Sequence, residues 1–332
     1  MSTHRFVQVL AVITFAGSLF VATPGLGGAS SLARQTSSSA IVCAKVPSTV
    51  PAHHGFTVTT SLDGTSVRDA TPASTPIPTP YGGVPGNGVI TLRSTASSSA
   101  TTLHLPPSFS GTALTSLCLL TTSSRPALLV ETYSGGAHCC VDTVLYASAS
   151  TTSPYHVALL ESLTESGKPT GPSEIPYDPN QGVVPRVLGN QPVLVGGDGN
   201  FPYTFGCYAC TPSPLVISAL RGTRVVNVSA SYPLQMRHDA ALLWSDVRAS
   251  LSPSTGYASL FGSLAAWTAD ECTLHSGGAA WREVKTLAAK GYLSDARYHQ
   301  AIFLPKGSYL PDLDHFLLTH GYCQGQIPAR VA

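Results

Sequence analysis

Between Pro126 and Pro233 the chain passes twice through one pattern of strands and turns, and this recurrence constrains the fold more than any other feature. Pro126-Ala127-Leu128-Leu129-Val130 is echoed 66 residues later by Pro192-Val193-Leu194-Val195. Each run leads into a glycine-rich turn, Gly135-Gly136 in the first and Gly196-Gly197-Asp198-Gly199 in the second. Cysteines follow each turn, then an apolar strand, Val144 to Ala147 against Leu215 to Leu220. A last strand closes each unit, His156 to Leu160 against Arg224 to Val228. Short apolar runs of this kind, punctuated by turns, predict antiparallel meanders that form propeller blades or the halves of a sandwich. Two blades do not close a propeller, so further strands must come from residues 41 to 125 or the sheets must stack.

Upstream, the strand candidates are Ile41 to Val46, Phe56 to Thr60, Val89 to Leu92, Thr101 to Leu105 and Leu114 to Leu120. Between Thr71 and Gly88 lie five prolines and four glycines, a density no regular element survives. Beyond Pro233 the period changes. Ala240, Leu243, Trp244 and Val247 have helical spacing, as do Leu260, Phe261, Leu264 and Trp267. Two further helices, Trp281 to Lys290 and Asp312 to His320, end alike in Lys290-Gly291-Tyr292 and His320-Gly321-Tyr322. Glycine there takes the left-handed cap conformation, which folds Tyr292 back toward Leu287 and Tyr322 toward Leu317. The fold class expected is therefore mainly β with a C-terminal α-helical unit. The divisions are 1–30, 31–125 (Ser/Thr/Pro-rich, short strands), 126–233 (the two-unit β-repeat) and 234–332 (helical).

The N-terminus carries a short basic start, Met1 to Arg5, then an apolar run from Phe6 to Ala22 interrupted only by Gln8, Thr14 and Ser18. Small residues at Gly27, Ala29, Ser31 and Ala33 follow, which is the pattern of a secretory signal peptide. The mature chain is expected to begin between Ser30 and Arg34, with a retained membrane anchor as the alternative. Eight cysteines suit an exported protein, where disulfides persist. Charged residues are only 11% of the chain and its net charge is +1, so nothing in its electrostatics attracts nucleic acid or an anionic membrane. No acid occurs from Thr71 to Val130. So sparse a charge fits acidic surroundings.

The unusual chemistry is concentrated in His138-Cys139-Cys140 and in Cys207-Tyr208-Ala209-Cys210. By ligand type these residues suit zinc or copper(I), or a redox-active thiol pair. In an exported chain with an even cysteine count the favoured reading is disulfides, with no metal and no cofactor. Cys272 and Cys323, alone in the helical unit, are expected to bond to each other. Cys139 and Cys140, on a strand running into Val141, point to opposite faces and so do not pair together. Their partners come from Cys43, Cys118, Cys207 and Cys210. Asp198-Gly199-Asn200 has the look of a calcium-loop fragment, but Gly196 stands where such a loop needs an acid, so a β-turn is the better reading. His238-Asp239 reads as a helix start, and Tyr203 to Tyr208 as a strand. The chain has no Gly-x-Ser-x-Gly, no His-Glu-x-x-His and no phosphate loop.

The segment Val130 to Cys140, with its Gly-Gly-Ala-His-Cys-Cys, resembles a stretch of exported proteins of actinobacteria and other bacteria. So does Gly197-Asp198-Gly199-Asn200-Phe201-Pro202-Tyr203-Thr204-Phe205. Those proteins are similar to degenerate integrin-alpha-like (FG-GAP/VCBS) repeats. The resemblance covers residues 115 to 325 and implies a β-repeat fold without catalytic residues. The repeats' calcium loop falls on Arg186-Val187-Leu188-Gly189-Asn190-Gln191, which departs from the acidic pattern.

The functional expectation is an exported or cell-envelope protein with a non-catalytic binding or structural role, with a cell-wall or other extracellular ligand as the candidate partner. His138, Cys139, Cys140 and Asp198 are its candidate binding residues. The alternatives are a metal-binding or thiol redox protein, and an envelope hydrolase or cell-wall-binding protein. The last draws on Val284 to Leu293, which is similar to the helix of peptidoglycan-binding domains but lacks their glutamine.

Overall fold

The computed structural model describes residues 40–44, 59–62, 65–69, 89–94, 100–106, 113–122, 125–133, 141–161, 177, 182–207, 211–252, 259–301 and 307–327. All of them fall in one unit, Ser38–Ala332. The predicted signal segment lies outside the described residues.

The described strands form three antiparallel sheets. The largest has the order β1-β6-β7-β8-β9, with β1 at Ile41–Cys43, β6 at Ala113–Leu120, β7 at Ala127–Tyr133, β8 at Val141–Ser148 and β9 at Tyr155–Glu161. A second runs β2 (Thr59–Leu62), β3 (Thr65–Asp69), β4 (Val89–Ser94) and β5 (Ala100–His104) in sequence order. The third does the same with β10 (Val184–Leu188), β11 (Gln191–Gly197), β12 (Leu215–Arg221) and β13 (Arg224–Asn227). The recurring three-strand pattern is thus β7-β8-β9 in one sheet and β11-β12-β13 in another.

Strand alternation dictates how the sheets stack. On the five-stranded sheet Leu117, Leu119, Leu128, Val130, Val144 and Tyr146 join a core with Ile90, Leu92 and Leu103 of the β2–β5 sheet. Their neighbours Cys118, Leu120, Ala127, Leu129, Leu145 and Ala147 point the other way, into a core with Leu194 and Val216 of the β10–β13 sheet. Successive residues face opposite sides of a strand, so apolar runs such as Leu117–Leu120 and Ala127–Val130 demand cover on both faces. That demand excludes the propeller expectation: the sheets are stacked layers, and among the described residues none closes into a barrel or propeller. Two polar contacts cross the first interface. The Tyr146 hydroxyl donates to the carbonyl of His104 at 2.7 Å, and the Arg125 guanidinium donates to Thr101 Oγ1 at 3.3 Å while lying over the Tyr155 ring.

The outer face of the third sheet, with Val193, Ile217 and Ala219, packs on Met236 at the start of the helical part. There α1 spans Pro233–Ser250, α2 Leu260–Thr273, α3 Gly277–Ala289, α4 Asp295–Ala301 and α5 Tyr309–Thr319. Proline at the first position opens α1, so His238 and Asp239 lie well inside the helix instead of starting it. Both expected glycine caps form. Tyr292 N donates to Leu287 O at 3.1 Å and Tyr322 N to Leu317 O at 2.8 Å, with Gly291 and Gly321 at φ +77° and +82°. The expectation of a mainly β chain is corrected. Strands are 3 to 8 residues long whereas α1, α2 and α3 have 18, 14 and 13, which makes strand and helix content about equal among the described residues.

Of the strand expected at Tyr203 to Tyr208, the described residues 203–207 form turns instead. Phe201 N donates to Asp198 O, Thr204 N to Phe201 O, and Tyr203 adopts φ +64°. These turns swing Phe201 and Phe205 into the helical core, where both rings meet Phe316 edge-on at 4.9 and 5.1 Å.

Candidate functional site

His138, Cys139, Cys140 and Cys210 lie outside the described residues. The other candidate residues are placed. Cys43 on β1 is bonded to Cys118 on β6, its direct cross-strand partner, with Cα atoms 4.0 Å apart. The flanking bonds, Ala44 N to Leu117 O and Thr121 N to Ala40 O, make this a non-hydrogen-bonded pair, the closer kind in an antiparallel ladder. This corrects the expectation that Cys43 and Cys118 are available to Cys139 and Cys140. Cys272 and Cys323 are bonded as the sequence predicts, with Cα atoms 4.8 Å apart. The Gln326 side chain stitches the same corner, donating to Cys272 O at 2.8 Å and accepting from Gly277 N at 2.9 Å. The two bonds join residues 75 and 51 apart in sequence. Loops of that length contribute about 4 kcal/mol each by loss of unfolded-chain entropy. Cys207 is disulfide-bonded too, so here it is no thiolate ligand.

Asp198 is a turn residue, as its sequence context predicts, but a buried one. Its Oδ1 accepts from the backbone and side-chain nitrogens of Asn200, both at 2.9 Å. Its Oδ2 accepts from the Tyr322 hydroxyl at 2.7 Å. Burial pushes its pKa upward, against those three donors and the nearby His320. No bond reaches outward for a ligand, and among the described residues no group of three or more His, Cys, Asp or Glu is placed to hold a metal.

Sequence reasoning missed a buried polar row. Ser116, Glu131, Thr143 and Glu161 are direct neighbours across β6, β7, β8 and β9. Direct neighbours share a face, and this one looks toward the third sheet. Glu131 Oε1 accepts from Val183 N at 2.6 Å and from Thr143 Oγ1 at 3.4 Å, which pins the segment before β10 onto the central sheet. Desolvation outweighs these bonds and raises its pKa. The available signal was Glu131 itself, one acid at the end of an apolar run. A second missed pair is the half-buried Asp239 on α1 and the buried Asp270 on α2, both with raised pKa values.

One open feature among the described residues is a cleft of about 200 Å³ between the five-stranded sheet and the β10–β13 sheet. Leu120, Leu145, Leu194 and Leu220 make its apolar lining, and Thr121, Thr122, Gln191 and Arg221 its polar one. No carboxylate, imidazole or thiol is among the described residues that line it. Chemically it can take a small molecule with an apolar body and an anionic end for Arg221.

No family model, no curated protein and no solved structure matches the chain. No described helix is long and apolar enough to cross a membrane.

Proposed function

We propose that the protein is exported, matures in an oxidising extracytoplasmic compartment, and acts there by binding instead of catalysis. The observation that carries this reading is the pair of disulfides Cys43–Cys118 and Cys272–Cys323, one in the central sheet and one in the helical part. Such bonds persist outside the reducing cytoplasm. The binding half is supported by where the polar chemistry sits. The acids Glu131, Glu161, Asp198 and Asp270 are buried between layers, while the cleft offers Arg221 over an apolar lining. The experiment is fractionation of cells producing the full-length chain, followed by N-terminal sequencing and a pull-down on insoluble cell wall. Recovery outside the cytoplasm, beginning between Ser30 and Arg34 and retained by the wall, supports the proposal. A chain confined to the cytoplasm and starting at Met1 refutes it.

A further inference from the structure

The α1–α2 contact encloses an unusual pair. Asp270 is fully buried, 0% exposed, on a helix whose residues from Leu260 to Asp270 are all buried. Asp239 of α1 lies against it, as does the Leu215 amide of β12. Yet neither oxygen of Asp270 has a hydrogen bond of full geometry. A hydrogen between the two carboxyls is what completes the contact. Two carboxylates this close in an apolar interior do not both ionise, and the usual resolution is one shared proton.

No basic side chain acts on Asp270 to replace that proton. Glu271 on α2 adds a further negative charge to Asp270, and Tyr322, after α5, is another acid whose hydroxyl is committed to Asp198. Of the basic side chains nearby, His238 faces Asp239 and favours its charged form, while Arg237 acts on Glu271 and His320 on Asp198. Asp239 is only half-buried, so the pair has a proton route to solvent.

We propose that Asp239 and Asp270 form a proton-operated latch, which holds α1, α2 and β12 together while the pair shares a proton and loosens them when that proton is lost. The sign follows from the environment. Burial raises both acids, against the Asp270 hydrogen bond, the Leu215 amide and His238 at Asp239, and repulsion from Asp239 raises Asp270 further, so their contribution is complete at low pH and is lost as pH rises through the raised values. The latch suits a protein working in acidic surroundings and opening toward neutrality.

The test is amide hydrogen exchange on the full chain across pH 4 to 8, a range chosen to bracket ordinary and raised carboxyl values, with rates corrected for intrinsic pH dependence. Wild-type protection in α1, α2 and β12 is expected to fall about tenfold per pH unit above the pair's upper pKa, while β7 and β8 keep theirs. Asp270→Asn, which retains volume and supplies a permanent donor to Asp239, is expected to flatten that fall. Asp239→Asn is the second variant should Asp270→Asn not fold. Protection in α1 and α2 that does not change with pH in the wild type overturns the latch, as does an unchanged slope in a folded variant.

Discussion

The hydroxyl of Tyr322 donates to Asp198 Oδ2 at 2.7 Å across 124 residues of sequence, joining the chain after α5 to the turn after β11. Phe201, three residues beyond Asp198, meets the Tyr322 ring edge-on at 5.9 Å. Polar and apolar contacts thus coincide where the third sheet gives way to the helices.

Tyr322→Phe removes the donor and keeps the ring. A buried acceptor left without its partner costs about 1–3 kcal/mol. Asp198 has a raised pKa, so the cost is expected to be larger above that raised value, where its carboxylate is charged, than below it, where it carries its own proton. Urea unfolding at two pH values checks this; equal losses at both contradict it.

Gly182 sits at φ +61°, and a Cβ there would come 2.7 Å from Glu131 Oε1 and 2.8 Å from Val141 Cγ1. Gly189 shares the conformation, φ +62°, with nothing within 4 Å. Gly189→Ala is expected to cost only the backbone penalty of about 1–2 kcal/mol. Gly182→Ala is expected to cost clearly more, because it also breaks the Glu131–Val183 bond. Thermal melts of the two variants compare them directly.

Glu131→Gln tests the polar row. The raised pKa of Glu131 means that its stabilising contribution is present in acid and is lost as pH rises through the raised value. The amide keeps an acceptor for Val183 N and has no charge to desolvate. The variant is expected to match wild type in acid and exceed it at pH 8, about where the usual stability optimum ends. Stability measured against pH decides; a variant weaker than wild type throughout contradicts the account.

Local features were legible in the sequence and layer contacts were not. Lys290-Gly291-Tyr292 and His320-Gly321-Tyr322 announce their caps because the motif is complete within six residues. The apolar runs at 117–120 and 127–130 announce strands for the same reason. Their burial on two faces follows only once both neighbouring sheets exist. The seven-residue helix at Asp295–Ala301 is too short to show a period. The Tyr203 segment looks like a strand by composition, but Asn200 and Pro202 impose turns that override it. The Cys43–Cys118 bond depends on the register of two strands 75 residues apart, which cysteine counting does not supply. Asp270 did leave a trace, as the first acid after the apolar and small run from Leu260 to Ala269, but its partner Asp239 lies on another helix. Nothing in the sequence brings the two together.

Peptide mapping under non-reducing conditions, on protein recovered from outside the cytoplasm and alkylated at harvest, tests the central claim most directly. The account predicts a peptide linking Cys43 to Cys118, another linking Cys272 to Cys323, and no alkylation at Cys207. Alkylated Cys43, Cys118, Cys272 or Cys323 in folded protein would contradict it.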